Sequence, residues 1–455
     1  MKAKNPPCPD QMQFLMPDLA RQLDPRQPLY QLAQRLPWEQ FSESFERLYS
    51  HTGRPAKPIR LMVGLLILKQ LHNLSDEKVV EVWVQNPYFQ YFCGQTMFQW
   101  QLPCEPTDLI HFRHRIGVAG VEQILKSSIE LHGDKGREQC VIADTTVQEK
   151  NITFPTDNKL RVKIIERCVK IAAEEGIVLR RSYRRTVPKL GKQLYHAHHP
   201  KRQKQARRAA RQLKTIAGRL VRELERKMQR RQDLFQHHGY EEQLELFKRV
   251  LHQKRTDKNK IYSLHEPEVY CVAKGKDHKK YEFGCKVSLV MTQTDNVILG
   301  ALNFTKNEYD GNTLKPALEQ VEQLTGHRPQ ECLVDKGYRG VCKLEDTRRV
   351  LPGQKGAKLS RWQRYQLRKK LRRRQAIEPQ IGHLKVDYGM GRNFLKGVEG
   401  DALNVLLAAA AMNFSKWMRK ASFWLRLWVV KLRPLFKPMV SAQYFSLTST
   451  STKSF

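Results

Sequence analysis

Acidic residues are the scarce charge in this chain: 45 Asp and Glu stand against 81 Lys and Arg in 455 residues, a formal net charge of +36. Such a surplus repels itself unless a polyanion is near, so nucleic acid is the natural partner. The plain alternative is a solvated basic surface of the kind RNA-bound proteins carry. Paired cysteines are also missing. Nine cysteines form no CxxC, several lie in apolar runs, and neither Cys93 and Cys104 with His111 and His114 nor His196-Ala-His198-His199 has zinc-ligand spacing. A reducing cytoplasm fits that usage. No apolar segment follows the N-terminus as a signal peptide would require. The run Ala402–Met418 holds Asn404, Asn413 and Lys416 and falls short of the roughly 20 residues a bilayer span needs, so it reads as a buried helix. The expected location is cytoplasmic, at the nucleoid, with no membrane. Internal repeats are absent as well.

What remains is 40 % hydrophobic, enough to build real cores in two or three domains. Residues 58–72 read as a helix started by Pro58 and stopped near Asn73, and Ser75 caps a second that Asn86-Pro87 ends. Thr107-Asp108 is expected to cap a third, followed by Val121–Leu131, making residues 1–130 a helical domain for end binding or dimerisation. A strand begins at Gln139. Residues 158–260 form a strongly basic helical insertion, in which Leu213, Ile216, Leu220 and Leu224 recur at hairpin-core spacing. Two antiparallel strands follow around Gln-Thr-Asp295, then a helix over Thr313–Leu324 and a strand over Glu331–Val334. With the insertion set aside, residues 138–157 and 261–420 read as an α/β domain, a mixed sheet covered by helices as in ribonuclease-H-like folds. Residues 421–455 are a C-terminal tail, loose from Met439.

Three acids stand out in that frame. Asp144 ends the apolar run Cys140–Ala143, Asp335 ends Cys332–Val334, and Glu378 lies in a helical segment between Arg374 and Lys385. Phosphodiester chemistry needs charge neutralisation on the phosphate and an activated nucleophile, and two Mg²⁺ ions on carboxylates supply both. Offsets of four and seven put Arg374, Glu378 and Lys385 on one helix face, although Pro379 predicts a kink or restart beside Glu378. Alone, each acid has an ordinary explanation: a strand-end turn for Asp144 and Asp335, a salt-bridged surface helix for Glu378. Lys336 and Arg339 make a basic turn beside Asp335. Arg361, Arg364 and Arg368 belong to an acid-free basic stretch with Trp362 and Tyr365 interleaved, placed to meet DNA phosphates, with Trp362 expected to be packed rather than stacked on a base.

At these residues the chain resembles the DDE-type insertion-sequence transposases of bacteria, in the group with a Tyr-Arg-Glu-Lys signature. The matching segments are Ile142-Ala-Asp144-Thr-Thr, Lys280-Tyr-Glu-Phe-Gly-Cys-Lys286, Tyr309-Asp-Gly311, Leu333-Val-Asp335-Lys-Gly-Tyr-Arg-Gly340 and Ile377-Glu378-Pro-Gln-Ile-Gly-His-Leu-Lys385, continued by Arg392-Asn-Phe-Leu-Lys-Gly397 and Gly400-Asp401. His51–Pro55 and Leu74–Gly94 are similar to that family's helical N-terminal domain. The resemblance implies a ribonuclease-H-like core, two Mg²⁺ ions for which Mn²⁺ substitutes, and cutting and joining of terminal inverted repeats to target DNA by a homodimer or larger synaptic complex. It carries the triad and the metal ligands onto Asp144, Asp335 and Glu378, with Arg374 and Lys385 as the signature's cations and Arg392 nearby. Leu371 stands where the signature tyrosine belongs. A metal-dependent nuclease without strand transfer and an inactive nucleic-acid-binding relic are the alternatives.

Overall fold

Residues 59–71 are apolar on every side, a pattern that suits a helix surrounded by protein rather than one lying on a surface. In the computed structural model that helix is central. The structure describes residues 18–432 apart from 51, 53–54, 196–198, 231–238, 255, 274–279, 340–343, 345 and 353–359, with side chains to residue 420. The tail from Met439 therefore lies outside the described residues.

The N-terminal helices are α1 (Leu19–Gln22), α2 (Pro28–Arg35), α3 (Trp38–Glu46), α4 (Ile59–Leu71), α5 (Asp76–Gln85), α6 (Pro87–Phe92) and α7 (Pro106–Glu130). Ser75 accepts from Lys78 N–H to start α5, and Asn86 both ends α5 and caps α6. The α7 cap falls earlier than Thr107-Asp108. The helix starts at Pro106, and Asp108 reaches back to accept from Glu105 N–H at 3.1 Å. Asp108 is thus the reciprocal partner inside the first turn rather than the cap. The helix expected over Val121–Leu131 is the second half of α7, beyond a break at Gly117, whose φ is +57°.

The sheet has six strands: β1 (Cys140–Glu149), β2 (Tyr270–Ala273), β3 (Tyr281–Thr292), β4 (Ile298–Phe304), β5 (Glu331–Leu333) and β6 (Arg348–Val350). Its order is β2-β3-β1-β5-β6 with β4 also paired to β3; β1, β2, β3 and β4 pair antiparallel, while β5 runs parallel to β1 and β6 to β5. This is a mixed sheet. Gly284 is required where β1 and β3 meet, because a Cβ there would stand 1.8 Å from the Gln148 carbonyl oxygen.

Between β1 and β2 come α8 (Asp157–Glu174), α9 (Thr186–Leu194), α10 (Pro200–Gln229) and α11 (Tyr240–His252). They form their own hydrophobic core, drawn wholly from residues 160–261, in which Leu213, Leu220 and Leu224 are fully buried. After β4 follow α12 (Asp310–Thr325), α13 (Arg361–Arg373), α14 (Ile377–Val386) and α15 (Gly397–Leu432). Helix α15 thus runs past residue 420, where a tail was expected to begin, because the apolar run from Leu403 to Phe414 is continued by helix-compatible residues.

One continuous core unites α4, α7, α12, the sheet and α15, so the N-terminal helices share their interior with the sheet. Its buried amides are paired. Asn413 of α15 donates to Ile298 O and accepts from Ile298 N–H, both at 2.9 Å, acting as a strand-like partner for β4. Asn404 donates to Gln148 at 2.7 Å, tying α15 to β1. Leaving either buried amide without its partner would cost about 1–3 kcal/mol.

Candidate functional site

Asp144 lies in the middle of β1, not at its end, because the strand continues through Thr145 to Glu149. The pairing of β1 with β5 runs Cys140 to Glu331, Val141 to Cys332 and Ile142 to Leu333. Carried two residues past the last pair, that register brings Asp335, just beyond the end of β5, close enough to Asp144 for its charge to act on the Asp144 carboxyl. Side chains alternate along a strand, so Ile142 and Asp144 share one face, as do Leu333 and Asp335. Ile142 and Leu333 pack with Met291, Val350 and Ile377 in a small apolar cluster. Helix α14 is therefore pinned by Ile377 to the face that carries the two acids.

The carboxyl of Asp144 accepts from Thr145 N–H at 2.8 Å, and that of Asp335 from Gly337 N–H at 2.7 Å. Burial, and then the negative charges of Asp335 and Asp310, push the Asp144 carboxyl up to about 6 despite the opposing pull of Arg374. The Arg374 guanidinium is 3.9 Å from Asp144. Glu378 lies one helical turn beyond Arg374 and next to Ile377, with its side chain exposed to solvent. The chain turns there as Pro379 requires: α13 ends at Arg373, a tight turn spans Arg374–Ala376, and α14 starts at Ile377, leaving Pro379 in the first turn where no N–H is needed. Among the described residues no three His, Cys, Asp or Glu side chains gather closely enough to hold a metal ion. Asp144 and Asp335 are brought together; Glu378 stays at the rim.

A third carboxylate does approach, and it is Asp310, in the first turn of α12. Its Oδ1 accepts from the Thr145 hydroxyl at 2.8 Å and pairs with Lys286 Nζ at 2.5 Å. A Cβ on Gly337 would lie 2.9 Å from Asp335 Oδ1 and 3.0 Å from Asp310 Oδ2. The two carboxylates thus close in on Gly337 from two sides. Tyr338 is fully buried, and its hydroxyl has no hydrogen-bond partner among the described residues. Burial, followed by Asp144 and Asp310, holds its phenol well above the usual range. Sequence reasoning missed both residues. Asp310 reads as a routine first-turn acid, although Tyr309-Asp-Gly311 is among the family-like segments, and Tyr338 reads as part of an exposed basic turn.

The donor set fits a hard divalent cation. Its donors are oxygens, and Arg374 and Lys286 only partly offset the negative charge of Asp144, Asp335 and Asp310. Asp144, Asp335 and, across the rim, Glu378 are the candidates to hold it.

Of the basic residues, Lys336, Arg339, Arg361, Arg364 and Arg368 are exposed. Trp362 is 69 % exposed, contrary to the packing expected of it, and Tyr365 is 63 % exposed, since α13 turns only its Leu367 and Leu371 side to the apolar cluster. Leu371, in the signature tyrosine's place, is packing material. Lys385 is half-buried, and Arg392 donates to Asn151 at 2.8 Å. Arg392 also lines a cavity of about 560 Å³ between α4, α7 and the start of α15, whose walls include Asp76 and Glu77 but not Asp144, Asp310, Asp335 or Glu378.

Residues 17–115 match a family described as a transposase domain (DUF772), and residues 247–414 match the transposase DDE domain. An uncharacterized protein, ORF8 in the nfe locus of Rhizobium meliloti, is 46 % identical over 168 residues, which is 36 % of this chain and 81 % of that protein. No solved structure matches the chain. The sheet, its paired acids and these matches define one class: the chain belongs to the DDE-type insertion-sequence transposases. Transposases of this kind act on DNA, and no helix among the described residues is long and apolar enough to cross a membrane.

Proposed function

We propose that the protein cleaves DNA at the terminal inverted repeats of its insertion sequence and joins the 3′-hydroxyl ends to target DNA. Asp144, Asp335 and Glu378 are the reactive acids, and two Mg²⁺ ions, or Mn²⁺ in their place, are the cofactors. The observation that carries this reading is the register that sets Asp144 beside Asp335 on the sheet face covered by α14. The strand order, with antiparallel β1 to β4 beside parallel β5 and β6, supports a ribonuclease-H-like core.

When bound, the ions would neutralise the phosphate and lower the pKa of the attacking water or hydroxyl. The chain itself has two tasks. Asp144 and Asp335 are fixed by hydrogen bonds from Thr145 and Gly337 and concentrate negative charge where the cations would be held. Arg374 stands beside Asp144, where a phosphate entering the site would meet it. Lys336, Arg339, Arg361, Arg364, Arg368, Lys385 and Arg392 would hold the flanking strands, with Trp362 and Tyr365 free to stack on bases. Two copies would bring the two element ends together.

The test replaces Asp144, Asp335 or Glu378 in turn with the neutral amide and follows Mg²⁺-dependent nicking and strand transfer on end-containing duplexes. Binding is expected to persist while both products vanish in all three variants. Full activity in Glu378→Gln would remove that residue from the triad. Nicking without joined product in the wild-type protein would reduce the activity to hydrolysis.

A further inference from the structure

Helix α10 is two-sided to an unusual degree. Ala206, Ala209, Leu213, Ile216, Leu220 and Leu224 face the insertion's own core. On the opposite side, at offsets of three and four, Lys204, Arg207, Arg208, Arg211, Lys214 and Arg222 are all exposed. From Lys201 to Arg222 the sequence has no acid.

An ordinary solvated helix interleaves its charges, and this insertion does so elsewhere. At the far end of α10, Glu223 pairs with Lys227 at 2.8 Å and Glu225 with Lys248 of α11 at 2.6 Å. Helix α11 opens with Glu241 and Glu242. Acids were therefore available to this subdomain, in α8 as well as at the far end of α10, and are missing from this helix face. None of the six stripe cations has an ion pair among the described residues. Six like charges along one helix face destabilise the isolated protein, a cost that a polyanion removes.

The stripe from Lys204 to Arg222 spans about 27 Å of straight helix. Over that length duplex DNA presents about 16 phosphates, at one per roughly 1.7 Å of axis. We infer that the exposed face of α10 is a second, sequence-independent DNA-contact surface, which grips duplex backbone away from the acids. This rests on the DNA-cutting reading above, with duplex DNA as the occupant because that is the substrate the acids would act on. The insertion leaves the sheet directly after β1, the strand that carries Asp144, and returns to it at β2. DNA held on α10 is thereby tethered to the site through β1.

The experiment uses the full-length protein and its quadruple variant Arg207→Gln, Arg208→Gln, Arg211→Gln, Lys214→Gln. Anisotropy of a labelled 30-base-pair duplex of arbitrary sequence is titrated across a range of salt. The variant should bind at least 10-fold more weakly at low salt. Its slope of log affinity against log salt should flatten by about 0.9 for each phosphate that the variant no longer neutralises. The double variant Arg211→Gln, Lys214→Gln should fall between, and Glu241→Gln, Glu242→Gln should match wild type. Unchanged affinity and slope in the quadruple variant would overturn the inference, as would a loss confined to single-stranded RNA of equal length. Cleavage at saturating protein reads the other question. If the slope flattens but wild-type protein never cuts, the catalytic reading fails and this surface stands; if cutting occurs with an unchanged slope, the reverse holds.

Discussion

Strand β1 carries two polar clusters six residues apart, and they differ in one respect. At its end, Lys150 is 3 % exposed and lies 2.8 Å from Asp401 and 3.3 Å from Glu266, while it donates to Gly397 O at 2.9 Å. Asn393 donates to the same Asp401 oxygen at 2.6 Å, and Gly397 N–H donates to Glu266 at 3.2 Å. At its middle, Asp144 faces Asp335 and Asp310 with only Arg374 at 3.9 Å and Lys286 on Asp310 to offset them. The first cluster is closed: every member has a partner, and it fastens β1, the segment returning from the insertion and the start of α15. The second is left open, with excess negative charge and an orphaned tyrosine hydroxyl. Completed networks hold a fold together, whereas incomplete ones mark where something must bind.

That contrast can be broken in four ways, from largest effect to smallest. Asp144→Asn or Asp335→Asn should reduce DNA cleavage by at least about 10³-fold, or about 4 kcal/mol of barrier, with the fold intact by circular dichroism. Lys150→Ala should do the opposite. It strands two buried carboxylates and should cost about 3–5 kcal/mol in urea unfolding, with cleavage per folded molecule kept.

The third concerns His132, which is buried against the Asn413 carbonyl and pushed down to about 4 by that burial. Between pH 6.5 and 4 the unfolded chain takes up a proton that the native imidazole refuses, so stability falls as pH falls, by about 3 kcal/mol across the window. In His132→Gln that part of the slope should disappear. The fourth concerns Asp144, whose carboxyl is raised to about 6. Between pH 4 and 6 the native state keeps a proton that the unfolded chain has lost, so here stability falls as pH rises. In chelator at pH 8, Asp144→Asn should therefore be more stable than wild type by about 2 kcal/mol, with the gap closing toward pH 4. Added Mg²⁺ should reverse the order. The His132 slope is best measured in the Asp144→Asn background, where the opposing titration is gone.

Long or strongly patterned elements were legible in the sequence. Helix α4, the Ser75 cap, the helix stop at Asn86-Pro87, the β3–β4 hairpin and the apolar stripe of α10 all follow from apolar periodicity and turn chemistry, whereas the helical hairpin expected for the insertion is a cluster of four helices. Strands β2 and β6 were not. They have four and three residues, and Arg348-Arg349-Val350 gains its strand identity only from lying beside β5. In the candidate site, Asp144 and Asp335 were visible because each follows an apolar run. Their adjacency was not, since it depends on a parallel register between strands far apart in the chain. Asp310 and Tyr338 escaped for the same reason: what distinguishes them is who their neighbours are across the sheet, and local pattern says nothing of that. Trp362 went the other way, as an aromatic that finds no core because α13 has only one apolar edge.

The largely apolar helix α4 is made early and α15, which packs against it and supplies Asn404 and Asn413, is made some 330 residues later. Until α15 emerges from the ribosome, α4 has greasy surface with no cover and β4 has a bare edge. A nascent or truncated polypeptide lacking residues 397–414 should accordingly be handed to chaperones and proteases rather than reach DNA. The ability to cut would then switch on only when translation is nearly complete.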